Sequence, residues 1–322
     1  MKDTMLTVFG AIHTDISMFV DTMPGNGETV PGRDHVMTPG GSGANQAFAA
    51  ARAEARVAFV GMVGDDDTGK RAATVLRRAG VMTSGIGVSD IHATGIAFIM
   101  RGHDQQSRTI ACPGANLEAA ADQVPEEVLG SSNHVLVQMV TPLAENIALL
   151  RKARINGATT ILNLSPVVAF PVHMLADVDY RVITHSEARQ LCRQLGLCDD
   201  YDYDDVARMA YAIAAQCGCV CLVTCSTHGA TALYPDGTGW HVTTSESGHY
   251  DIVDATGSGD AYTGTLAACL ENRMSLDKAM HYASPALSLT CMYKGAQAAF
   301  PYWAEIETAS KDFNAPEAIV VE

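Results

Sequence analysis

Short apolar runs alternate with Ala-rich runs of helical period along most of the chain. Met5–Ile12 (MLTVFGAI) predicts a first strand, Ala44–Ala55 a helix, Val57–Val63 a strand and Thr68–Arg78 a charged helix. The rhythm continues with a strand over His134–Val140 and a helix over Ala144–Asn156. Further strands are expected at Thr159–Leu164, Tyr180–Thr184 and Val220–Thr224, and helices at Glu187–Leu195 and Asp204–Gln216. Strands that are apolar on both faces must be covered on both sides. Alternating with helices, they predict an α/β fold with a doubly wound, mostly parallel sheet.

Two segments break the rhythm. His13–Pro39 is dotted with Pro and Gly and has little helical pattern. Ile91–Cys112 alternates polar and apolar residues, as in TGIAFIMR. Both read as antiparallel strands with one face turned to water or to a ligand. The expected division is a β lid from 13–36 and 91–112, set on an α/β core from 1–12, 37–90 and 113–322.

Composition narrows the function. With 48% hydrophobic and 18% charged residues the 322-residue chain is not disordered as a whole. A net charge of −15 argues against a broad grip on nucleic acid or on an anionic membrane, while leaving room for a local phosphate pocket. The nine cysteines leave at least one unpaired and several sit in apolar runs, which fits a reduced, cytoplasmic protein. The N-terminus lacks the apolar stretch of a signal peptide. Met209–Tyr234 carries no Asp, Glu, Lys or Arg, yet Gly and polar residues interrupt it. It reads as a helix, a break and a buried strand rather than a membrane span.

Two glycine-rich turns precede Ala-rich helices. In Asp254-Ala255-Thr256-Gly257-Ser258-Gly259-Asp260 the glycines let backbone N–H groups converge where a helix N-terminus adds its positive end. That is a cradle for a phosphoryl group, and Asp260 at its mouth can take the proton of an attacking hydroxyl. The alternative is a structural turn with Asp260 as a cap. In Gly40-Gly41-Ser42-Gly43-Ala44-Asn45 the backbone can come close to a small polar ligand that Asn45 both donates to and accepts from.

Other patterns carry less. Gly64–Arg71 (GDDDTGKR) nearly has P-loop spacing, but three aspartates would repel phosphate and Arg71 stands where Mg²⁺ needs a hydroxyl. Cys217, Cys219, Cys221 and Cys225 spread along a strand cannot wrap a tetrahedral ion. The acidic run Asp199–Asp205 lacks the glycine and closing Glu of a calcium loop and reads as a solvated helix start. His185 and His281 read as ordinary helix positions.

GGSGANQAFAAARAEARVAFVGMVGDDDTG and DATGSGDAYTGTLAACL, in this order, resemble the two signatures of the ribokinase-like (PfkB) carbohydrate kinases. GAIHTD, GNGETVPG, PGANLE, TPLAEN, SEARQL and YKGAQAAFP extend the resemblance over nearly the whole chain, most closely to the ribokinase branch. It implies ATP- and Mg²⁺-dependent phosphorylation of a sugar's primary hydroxyl. Asp260 would be the base, and Gly257, Ser258 and Gly259 the anion hole. His13, Asp15, Gly41, Ser42, Asn45 and Val140 would face the sugar. Thr224, Ser226, Thr227 and Gly229 would hold the nucleotide, and Glu187 would position Mg²⁺ through water. Asp254, Thr256 and Gly295 match a monovalent-cation loop, with K⁺ a further candidate. A homodimer through the lid is implied as well.

The chain departs from the family pattern at several of these places. His13 replaces Asn, Ser42 replaces Lys, Val140 replaces Glu, Thr184 replaces Asn, Ser226 replaces Gly and Ala299 replaces Ser. The first three alter polar contacts to the acceptor, which bears on substrate choice. A nucleoside kinase of the same family, with the room that Ser42 and Val140 leave, is one alternative. A non-catalytic sugar or nucleotide sensor is another.

Overall fold

The computed structural model describes residues 4–102, 107–197, 206–226, 229–244 and 250–321. Its larger sheet has ten strands. Those in the parallel part are β1 (Leu6–Phe9), β4 (Val57–Gly64), β5 (Met82–Ser89), β8 (His134–Gln138), β9 (Thr159–Asn163), β10 (Tyr180–Thr184) and β11 (Val220–Thr224). They lie in the order β5-β4-β1-β8-β9-β10-β11. The antiparallel strands β12 (Gly229–Leu233), β13 (Thr238–Thr243) and β14 (Glu317–Val320) extend it past β11. Helices α1 (Ser42–Arg52), α2 (Asp67–Arg78), α6 (Ser258–Glu271) and α7 (Leu276–Cys291) share one buried cluster with Leu6, Val8, Phe59 and Leu222. Helices α3 (Leu143–Asn156), α4 (His185–Gln194) and α5 (Val206–Cys217) pack with Phe9, Val137, Leu162 and Val223 on the other face. Two apolar layers on a doubly wound sheet are the expected architecture.

The parallel strands and their helices fall within a few residues of the expected places. Strand β5 and the antiparallel β12–β14 are additional to the strands expected. The stretch Met209–Tyr234 is the end of α5, then β11 and β12, and no helix among the described residues is long and apolar enough to cross a membrane. Cys219 and Cys221 are buried, no group of three or more His, Cys, Asp or Glu side chains that could hold a metal ion is found among the described residues, and none of the described cysteines is in a disulfide. The acidic run 199–205 lies outside the described residues.

A smaller sheet of four strands has the order β3-β2-β6-β7, from β2 (His13–Val20), β3 (Gly32–Gly40), β6 (Gly95–Arg101) and β7 (Ser107–Cys112). Its two hairpin pairs are antiparallel, as expected, but β2 and β6 join them in parallel. Two insertions that leave the core in the same direction, separated by α1, β4, α2 and β5, bring like-directed strands side by side.

The P-loop-like segment is a cap. Asp66 precedes α2 and accepts from Gly69 N (2.8 Å). It also accepts from Thr94 N (2.7 Å) and Thr94 Oγ1 (2.8 Å), tying α2 to the segment that leads into β6. Burial pushes its carboxyl up, but hydrogen bonds from Thr68, Thr94 and Gly69 outweigh this and hold it well below the ordinary value. Asp66→Ala is expected to destabilise the protein by about 2 kcal/mol at pH 7, read from the midpoint of urea unfolding. A carboxyl depressed in the folded state stabilises above its unfolded pKa. The gap between wild type and variant therefore narrows as pH falls below about 4.

Candidate active site

Asp260 sits in the first turn of α6, whose N-cap Gly257 has φ +78°. Any other residue there would be strained, and a Cβ would come within 2.7 Å of Ala296 Cβ. Four residues after Asp260, Gly264 permits a close approach to α1, since a Cβ on it would stand 2.4 Å from Gln46 O. This contact of α6 with α1 sets Asp260 opposite Asn45 and Gln46.

Asn45 Nδ2 donates to Asp260 Oδ2 and Gln46 Nε2 to Asp260 Oδ1, both at 2.9 Å. Gln297 Nε2 donates to Asn45 Oδ1 at 3.0 Å, and Gln138 Nε2 to Gln46 Oε1 at 2.8 Å. Gln46 Nε2 also reaches Asn163 Oδ1 at 2.9 Å, and Asn163 Nδ2 donates to Val182 O at 3.1 Å. Gln138 and Asn163 are register partners at the carboxyl ends of β8 and β9. The site thus lies where open α/β sheets place their ligands. Asp260 keeps some opening to the cleft, yet protein surrounds its carboxyl, whose pKa is pushed up to about 6. Burial is the main cause. The Asn45 and Gln46 hydrogen bonds lower the value, the Asp15 charge raises it and His13 lowers it.

His13 and Asp15 come from the lid. They are on the same face of β2, and His13 Nε2 lies 2.9 Å from Asp15 Oδ1. Gly41, with φ +100°, caps α1, and Ser42 opens that helix with its hydroxyl enclosed and without a protein partner. Val140 follows Gln138 by two residues at the end of β8. Asp15 lies against Gly40 at the α1 turn, and Asp15 and His13 are near enough to Asp260 to act on its carboxyl, so this lid face, the α1 turn and the start of α6 adjoin.

Asp254, Thr256 and Gly295 are also brought together. Thr256 N and Oγ1 donate to Asp254 Oδ1 at 3.1 and 2.6 Å, and Gly295 N to Asp254 Oδ2 at 3.0 Å. The nucleotide-loop residues lie further along the sheet's carboxyl edge. Thr224 ends β11 in register with Thr184, and Gly229 opens β12 with φ +116°. Ser226 has φ +52°, the left-handed region that glycine enters freely, so the substitution for Gly keeps the backbone shape at a cost in strain. Thr227 lies outside the described residues. Glu187 Oε2 accepts from Thr184 N and Oγ1 at 2.8 and 2.9 Å, a capping box that fixes its carboxylate at the start of α4.

Sequence reasoning missed Gln46, Gln138, Asn163, Gln297 and Arg101. The first three had a signal: a polar residue within or ending an apolar run that is otherwise bound for the core. Arg101 had none.

Comparison with known proteins bears on the fold and the family. The ribokinase of Haemophilus influenzae is 27% identical over 306 residues, covering 92% of this chain and 95% of that protein. The ribokinase of Lactococcus lactis is 28% identical over 314 residues, covering 97% and 98%. Among solved structures, ribokinase from Thermotoga maritima superposes with a TM-score of 0.85 at 24% identity, over 95% of this chain and 99% of that one. A nucleoside kinase of the ribokinase family from Methanocaldococcus jannaschii superposes with a TM-score of 0.78 at 17% identity, over 97% and 98%. These neighbours share the ribokinase-like fold. The family model described as pfkB family carbohydrate kinase matches residues 3–303, and the chain accordingly belongs to that family of phosphotransferases.

Proposed function

We propose that this kinase transfers the γ-phosphoryl group of ATP to the primary hydroxyl of a sugar, with Asp260 as general base. The observation that carries the reading is the Asp260 carboxyl. It stands beside the Gly257 turn, has a pKa pushed up to about 6 and lies near His13 and Asp15. Each of its oxygens accepts one amide hydrogen bond and keeps a lone pair for a hydroxyl proton. The backbone N–H groups of Gly257, Ser258 and Gly259 lie at a helix start, whose positive end suits the charge on the moving phosphoryl group; that of Ser258 also donates to Ala255 O at 3.2 Å. Thr224, Ser226, Thr227 and Gly229 would hold the nucleotide. The anchored Glu187 fits a water-mediated hold on Mg²⁺. ATP supplies the phosphoryl group; this chain's own part is to orient the acceptor, take its proton and exclude water.

Acceptor choice rests on His13, Ser42 and Val140. A ribokinase from Arabidopsis thaliana is known with ribose and ATP bound, and that acceptor class is the starting point for this chain. Here His13 already engages one oxygen of Asp15, so a sugar hydroxyl meets a carboxyl group with one oxygen taken rather than a free one. We further propose a homodimer built on the lid. Met37, Ile16, Phe98 and Ile110 are successive register partners across all four strands, an apolar row on one face. Phe98 is 36% and Ile110 64% exposed. Such a row, on the face opposite His13 and Asp15, suits a second copy. The unpaired thiols support a cytoplasmic setting.

Asp260→Asn is expected to lower kcat by about 10²- to 10⁴-fold in an ADP-release assay run with sugars and nucleosides, with the circular dichroism spectrum kept. Near-normal turnover would refute the base assignment, and tight sugar binding without turnover by the wild type would favour a sensor. Because the base must be ionised, kcat/KM should rise with pH and level off above a midpoint near about 6. His13→Asn should change the ranking of acceptors through KM by roughly tenfold or more, with kcat on the best acceptor moving less. Ile110→Asp should convert a dimer to monomer in sedimentation velocity while kinase activity remains measurable.

A further inference from the structure

Arg101 ends β6 and belongs to the same lid face as His13 and Asp15, since its register partner on β2 is Phe19 and residues alternate sides. Its guanidinium crosses from the lid to the turn before the anion cradle. Nη2 donates to Thr256 Oγ1 at 2.8 Å, and Nη1 lies 3.4 Å from Asp254 Oδ1. The Thr256 hydroxyl gives its single proton to Asp254 and accepts from Arg101. Asp254 accepts from Thr256 and Gly295 with its two oxygens and faces Arg101. The Asp254 side chain is 13% exposed and that of Arg101 28%, so this charge pair is largely shielded from water.

The resemblance implies a monovalent cation at Asp254, Thr256 and Gly295, and this donor set does not fit one. Asp254 Oδ1 takes both Thr256 donors and faces Arg101, Asp254 Oδ2 takes Gly295 N, and Thr256 Oγ1 takes Arg101, so each side-chain oxygen it would use already has an N–H or O–H donor. A permanent positive charge within hydrogen-bond reach of them would repel a second cation in a poorly screened place. We propose that Arg101, carried by the lid, is the resident cation of the turn before the anion cradle and holds that turn without a bound monovalent ion. Arg101 is a positioning residue: it acts on the phosphoryl path through Thr256 and the adjacent Gly257. Because it rides on the lid, the turn is braced only when the lid lies over the site.

This inference rests on the kinase reading for its kinetic arm and stands apart from it in its thermal arm. In the first arm, ADP release is compared in potassium, sodium and tetramethylammonium chloride at equal ionic strength. The wild type should vary less than about twofold, whereas Arg101→Ala should lose roughly 10- to 100-fold in kcat, the range for a lost charged hydrogen bond. Arg101→Lys, a point charge without the fork, should fall between them. Potassium should restore part of the Arg101→Ala activity, because removing the guanidinium frees anionic oxygens. In the second arm, potassium in place of tetramethylammonium should leave the wild-type melting temperature unchanged and raise that of Arg101→Ala. Tenfold activation of the wild type by potassium, a potassium-dependent rise in its melting temperature, or wild-type kcat in Arg101→Ala would each overturn the proposal. A wild type that releases no ADP with any acceptor would sink the kinase reading, and the melting temperatures would still judge the role of Arg101.

Discussion

Two amide side chains on one helix hold a carboxylate on another, and the candidate site is organised around that contact. Asn45 and Gln46 each donate to one oxygen of Asp260. They can do so only because α1 and α6 approach to the distance that Gly264 allows. The same amides are themselves fixed by Gln297, Gln138 and Asn163. A partly satisfied polar network in a core is costly, so each member constrains the others. The sheet ends, two helices and the late turn at Gly295–Phe300 are thereby locked to one reference point.

Burial and hydrogen bonding act on that carboxyl in opposite directions. Removal from water raises its pKa, while the two amides stabilise the charged form. The balance leaves a carboxylate that is ionised at neutral pH, yet with a pKa closer to neutral than that of an exposed aspartate, which suits the base role proposed for it. A base poised in this way accepts a hydroxyl proton more readily as charge passes to the phosphoryl oxygens.

The lid sorts its functions by the alternation of a strand. One face carries His13, Asp15 and Arg101 towards the core, and the other carries Ile16, Met37, Phe98 and Ile110 outwards. A one-residue slip in register would exchange the two sets. The close turn at Thr94, held by Asp66 at the start of α2, fixes where β6 begins and so which side Arg101 takes.

The parallel core, the two glycine turns and the family resemblance were legible in the sequence because they depend on local patterns. Apolar runs mark strands buried on both faces, and small residues before an Ala-rich run mark a tight turn into a helix. Asp260 was legible for the same reason. Strand β5 (MTSGIGVS) and the short strands β12–β14 were not: the Gly, Thr and Ser in β5, β12 and β13 dilute any apolar run, and β14 joins β13 from far along the chain. The parallel joining of β2 to β6 was likewise a matter of how two insertions leave the core. The partners of Asp260 and the reach of Arg101 to Thr256, 155 residues away, were decided only by the tertiary structure. Local patterning selects elements through short-range sterics and hydrophobic period. Which side chain meets which charge depends on packing distances and register that no local window contains.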